Sequence, residues 1–93
     1  MPSELVHDLK CWRAPFCAVW GGLKHFEYRL NDRDFRVNDV LRLREYDEFK
    51  REYTGREIRV RITYILKNSF EVPQGYCIIS LDPQMVKIQG PPF

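Results

Sequence analysis

Apolar and polar residues alternate along several short stretches of the chain. From Leu5 to Trp12, Leu5, His7 and Leu9 fall on one side of an extended segment, with Val6, Asp8 and Lys10 on the other. His25 to Leu30 repeats the pattern: Phe26, Tyr28 and Leu30 share one face, and His25, Glu27 and Arg29 share the opposite one. Val40 to Tyr46 turns Leu41 and Leu43 inward and Arg42 and Arg44 outward. Arg56 to Leu66 is the longest run of this kind. It sets Ile58, Val60, Ile62, Tyr64 and Leu66 against Glu57, Arg59, Arg61 and Thr63. Tyr76 to Leu81 predicts a further apolar strand, and Met85 to Ile88 a short last one. The interior is therefore expected to hold Phe26, Tyr28, Leu41, Leu43, Ile58, Val60, Ile62 and Tyr64.

One stretch departs from the period of two. Phe16, Val19 and Trp20 stand at i, i+3 and i+4 behind Arg13-Ala14-Pro15, the spacing of a short helix with one buried face. Gly21-Gly22 stops it. Asn31 to Asp34 reads as a turn, and Tyr53-Thr54-Gly55 as the closure of the hairpin between the third and fourth strands. Five or six short strands with one helix predict an α+β, mostly β fold: a small, mostly antiparallel β-barrel. Ninety-three residues make one domain, 1–93, with loose ends at about 1–3 and 90–93.

Composition narrows the function classes. Fifteen Lys and Arg against 13 Asp and Glu leave a formal charge of +2, which excludes a blanket polycation but not a local basic site. Arginine outnumbers lysine ten to five, favouring planar recognition of phosphate, carboxylate or bases. Cys11, Cys17 and Cys77 form no C-x-x-C pair, and residues 1–10 carry charge in place of an apolar leader. A cytoplasmic protein with free thiols and no membrane association is the expectation. His7 and Cys11 stand ~13 Å apart on a strand, too far to share a metal, and no metal site is expected. No P-loop, dinucleotide glycine motif or Ser/His/Asp signature occurs, so no cofactor is expected.

The densest chemistry lies in Gly22-Leu23-Lys24-His25-Phe26-Glu27-Tyr28-Arg29, where Glu27 and Arg29 project from one strand face and Lys24 sits at the handover from helix to strand. An ordinary solvated ion pair would look the same by composition. The segment Gly22-x-Lys24-x-x-Glu27-x-Arg29 resembles the G-x-K-x-x-E-x-R signature of the ASCH domain, within the PUA-like β-barrel superfamily. Further segments resemble a small stand-alone ASCH-like family of uncharacterised function. They are His7 to Lys10, Asn31 to Phe35, Val37 to Asp39, Leu43 to Tyr46, Tyr53 to Arg56, Thr63 to Ile65 and Gly75-Tyr76, so that the likeness spans residues 7 to 82. The resemblance implies a PUA-like barrel with a cleft between the helix and the sheet, lined by Lys24, Glu27 and Arg29, that takes RNA or a nucleotide-like ligand. Arg33, Lys10 and His7 would complete its rim, and Trp12 would cover a base by stacking.

Two rival readings accompany this one. Some ASCH proteins are amidohydrolases that deacetylate N4-acetylcytidine, using the motif lysine, a threonine three residues on and a distant glutamate. Here Lys24 matches, but the threonine position is Glu27. An enzyme would centre on Lys24 and Glu27, with Glu45 or Glu71 as the distant acid. The other rival is a protein-interaction adaptor. Antiparallel pairing is expected to set Arg42 by Arg59 and Arg44 by Glu57, so that Arg42, Arg44, Arg59 and Arg61 form a stripe able to track a phosphate backbone or dock on a protein.

Overall fold

The computed structural model describes residues 5–90. Chain order is β1 (Val6–Trp12), α1 (Arg13–Trp20), β2 (Phe26–Leu30), β3 (Val40–Asp47), β4 (Glu52–Leu66) and β5 (Tyr76–Ile88). All five strands join one sheet in the order β1-β3-β4-β5-β2. The β1–β3 pair is parallel and the other three pairs are antiparallel, so the sheet is mixed. It curls into a half-barrel whose two edge strands, β1 and β2, are joined in sequence by α1. Of the expected loose ends, about 1–3 and 90–93, only Gly90 lies within the described residues.

The helix forms where the spacing placed it. Pro15 is tolerated in its first turn because the N–H groups there have no intrahelical partner in any case. Its apolar side buries Phe16 and Val19 completely. At its end Gly22 takes a left-handed φ of +80°, and Gly22 and Leu23 donate back to Val19 O (3.1 Å) and Ala18 O (2.8 Å). This tight exit delivers Lys24 directly to the start of β2.

The core is the concave face: Leu9 and Cys11 of β1, Leu41 and Leu43 of β3, Ile58, Val60 and Ile62 of β4, and Cys77, Ile79 and Leu81 of β5, closed by α1 and Phe35. The expected cross-strand partners, Arg42 with Arg59 and Arg44 with Glu57, stand opposite each other.

Four expectations are corrected. Phe26 and Tyr28 are half exposed, and Glu27 between them is buried, so β2 turns its other face inward. Tyr64 is exposed as well. The ladder runs from Ile62↔Leu81 to Tyr64↔Ser80, leaving Thr63 as an extra residue that reverses the alternation. Beyond this bulge Ile65, not Tyr64, packs against the core. The β3–β4 hairpin closes at residues 48–51, where Asp47 Oδ1 accepts from the N–H groups of Phe49 (2.9 Å) and Lys50 (3.0 Å). Residues 53–55 belong to β4 instead. Finally, residues 76–88 form one strand, because a bulge at 82–84 absorbs Pro83 without a break.

Candidate functional site

The open seam of the half-barrel, between edge strands β1 and β2, carries the main constellation. On β2, Glu27 lies beside Ile79 and Arg29 beside Cys77, both facing the concave side. The Glu27 side chain is only 4% exposed and is held by two cations. Lys24 Nζ donates to its Oε1 and Arg29 Nε to its Oε2, each at 3.0 Å. A carboxylate this deep is sustained by such partners, since an unpaired buried charge is costly. Arg29 also reaches across the seam, its Nη2 donating to Lys10 O of β1 at 2.8 Å. Arg33, in the loop after β2, does the same to Asp8 O through Nη1 at 2.6 Å. Two arginine side chains thus take backbone acceptors of an edge strand where no neighbouring strand stands.

The seam opens into a concavity of about 380 Å³, within the ~300–1,000 Å³ usual for small-ligand sites. Lys10, Lys24, Arg29 and Arg33 line it with Glu27 and Asp32. Four cations against two carboxylates leave +2 there, equal to the formal charge of the entire chain. Trp12, Tyr28 and Phe35 supply aromatic wall. Lys10 Nζ lies 4.4 Å from the Tyr46 ring centroid and 5.7 Å from that of Trp12, bridging the rim by cation–π contact. The Cys11 thiol forms part of the wall. Burial, reinforced by the Glu27 carboxylate, pushes its pKa up to about 11 against the pull of Arg29 and Lys24, so it stays protonated at neutral pH.

A family model described as a domain of unknown function, DUF3850, matches residues 6–81. The chain belongs to the DUF3850 family. The matched span runs from the start of β1 to Leu81 and contains every side chain named in this cleft. No curated protein matches the chain.

Not all sequence candidates of the DUF3850 chain meet at the seam. Lys24, Glu27, Arg29, Arg33 and Lys10 line one concavity; His7 does not. Its Nε2 lies 2.8 Å from Asp39 Oδ2, and its ring packs edge-on to Phe35 at 4.9 Å. Asp39 Oδ2 also accepts from Arg36 N–H, so His7 fixes the 33–39 loop behind the cleft wall. The arginine stripe is partly neutralised from within. Glu57 pairs with Arg42 Nη2 at 2.9 Å and with Arg59 Nη2 at 3.4 Å, and Asp8 Oδ2 reaches Arg42 at 3.3 Å. The Arg42 guanidinium, followed by Arg59, holds the Glu57 carboxyl below the usual range. Arg44 stacks over Tyr53 at 3.9 Å, and Arg61 donates to Asn38 O at 2.6 Å.

Of the two distant acids, Glu71 is exposed and bonded to Ser69, while Glu45 is buried beneath α1. Arg56 grips Glu45 through Nε (2.8 Å) and Nη2 (2.9 Å), and Thr54 Oγ1 donates to it at 2.6 Å. Neither acid lines the concavity. The role of Arg56 was not legible in the sequence, because it depends on three β4 residues, Thr54 to Arg56, bulging opposite the single Glu45.

Proposed function

We propose that this DUF3850 chain is an ASCH-like module of the PUA-like superfamily that binds RNA or a nucleotide-like ligand in the β1–β2 seam. The observation that carries this reading is the convergence of Lys24 and Arg29 on buried Glu27, on the wall of a small-ligand-sized concavity that holds the chain's whole positive excess. Lys24 and Arg29 contact anionic or carbonyl groups through donors that Glu27 orients, and Arg33 and Lys10 flank them. Glu27 accepts from an exocyclic amine, and Trp12 offers a ring face for a base.

Hydrolysis is the weaker reading. A protonated Cys11, a glutamate at the threonine position and two distant acids outside the concavity leave Lys24 without a nucleophilic partner. Calorimetric titration with nucleoside monophosphates and short RNAs tests the proposal. Lys24→Ala is expected to weaken binding by about tenfold, the loss of one charge-assisted hydrogen bond. Affinity should also fall with added salt. Acetate release from N4-acetylcytidine by the wild type, abolished in Lys24→Ala, would move the protein into the enzyme class.

A further inference from the structure

The reversed face of β2 has a counterpart on its neighbours. Residues paired across a ladder share a face, so the convex side of β4–β5–β2 carries three rows. They are Tyr64, Ser80 and Phe26; then Leu66, Ile78 and Tyr28; then Tyr76 with Leu30. No carboxylate stands in these rows. Tyr64 is 58% exposed, Tyr28 50% and Phe26 46%. Tyr28 and Tyr76 stack on each other at 5.4 Å with 26° between their planes, and each stays more than a third exposed at the end of this face. Exposed aromatic side chains gathered on one face of a small domain make it a candidate contact surface.

Cations border it on two sides. Lys24 Nζ lies 5.1 Å from the Phe26 ring centroid. Along β4, Val60 and Ile62 are buried, which puts Arg59 and Arg61 on the convex side, leading into Tyr64 past the Thr63 bulge. The surface is also continuous with the cleft, since Tyr28 and Leu30 of edge strand β2 line both.

We propose that this face is a base-stacking platform for single-stranded nucleic acid. A strand with one nucleotide in the seam crosses the β2 edge and lays its next bases on Tyr28, Tyr76 and Tyr64. Rows of rings that hold no carboxylate suit the π-faces of any base, and cations at both margins suit the phosphates between them. The inference rests on the nucleotide reading of the cleft and extends it from one nucleotide to several.

The test compares a mononucleotide, six-nucleotide RNA and DNA single strands, and a six-base-pair RNA duplex, by fluorescence anisotropy competition. The single strands are expected to bind at least about tenfold more tightly than the mononucleotide or the duplex. Tyr64→Ala and Tyr76→Ala should each weaken hexamer binding by about tenfold and leave mononucleotide binding unchanged, while Tyr64→Phe and Tyr76→Phe keep it. Mononucleotide binding that needs Lys24, with hexamer binding indifferent to both tyrosines, overturns this inference and leaves the cleft reading standing. Hexamer binding that needs the tyrosines but not Arg29 supports the platform and removes the cleft reading. Preferred binding of the duplex, or no binding of any strand, overturns the inference. A dimer in sedimentation that Tyr64→Glu dissociates also overturns it, by assigning the face to a second copy of the chain.

Discussion

At the residue scale the two most deeply buried carboxylates among the described residues, Glu27 and Glu45, have different surroundings. Glu27 is held by Lys24 and Arg29, whose side chains are 20% and 25% exposed and so keep partial access to water. Removing Glu27 leaves two cations that hydrate in part. Glu27→Ala is therefore expected to cost about 2 kcal/mol, below the ~3–5 kcal/mol of a fully buried pair broken on one side. Lys24→Ala should cost less than about 1 kcal/mol, because Arg29 still holds the carboxylate; urea unfolding midpoints measure both. Glu45 sits equally deep, with Arg56 as its main partner and Thr54 and Cys17 beside it. These partners, Arg56 first, hold its carboxyl below the usual range. The unfolded chain then binds the proton first, near the ordinary value of ~4.3. The stability Glu45 contributes is present above that pH and is lost as pH falls toward the folded value. Glu45→Gln should lower stability at pH 7 and make the decline below about pH 5 shallower. Glu57, also lowered, keeps part of that slope in place. An unchanged slope would remove Glu45 from the acid response.

At the element scale, bulges decide what each strand delivers. Between Arg44↔Glu57 and Tyr46↔Tyr53, three residues of β4 oppose Glu45, and the detour turns on Gly55 at a φ of +97°. Gly90 packs against it so closely that a Cβ there would meet the Gly55 carbonyl carbon at 2.7 Å. Gly55→Ala forces a side chain into the left-handed region and should destabilise the fold by about 1–2 kcal/mol, loosening the Arg56 grip on Glu45. Thermal unfolding reads the loss, and a wild-type midpoint would contradict it. The same irregularities mark the limit of what alternation reveals. Leu41, Leu43, Ile58, Val60 and Ile62 were legible because β3 and β4 run in register there. Tyr64 was not, because one extra residue at Thr63 reverses the phase without leaving a hydropathic trace. In β2 the alternation correctly put Glu27 and Arg29 on one face with Phe26 and Tyr28 on the other. Hydrophobicity then pointed the wrong face inward, since the interior at the seam is polar and ion-paired. His7 was grouped with the cleft, whereas its partner Asp39 lies 32 residues away, a separation no local pattern encodes.

At the scale of the whole molecule, a half-barrel with two unjoined edges keeps an opening that a closed barrel lacks. The edges are linked in sequence by α1 and in space by Arg29 and Arg33 donating to Lys10 O and Asp8 O. The Gly22 to Arg29 motif and Arg33 were both legible as candidates, but their convergence at the seam emerges only from the strand order β1-β3-β4-β5-β2. No helix among the described residues is long and apolar enough to cross a membrane. The central claim is that this seam binds a nucleotide or a nucleotide of RNA. The most direct test is a titration of isotopically labelled protein with nucleoside monophosphates and short RNAs, followed residue by residue by NMR. The account predicts saturable shifts concentrated at Lys10 to Trp12 and Lys24 to Arg33, needing about tenfold more ligand to saturate in Lys24→Ala while the remaining spectrum stays folded. Saturable shifts confined to surfaces away from the seam, or no shifts at millimolar ligand, would contradict it.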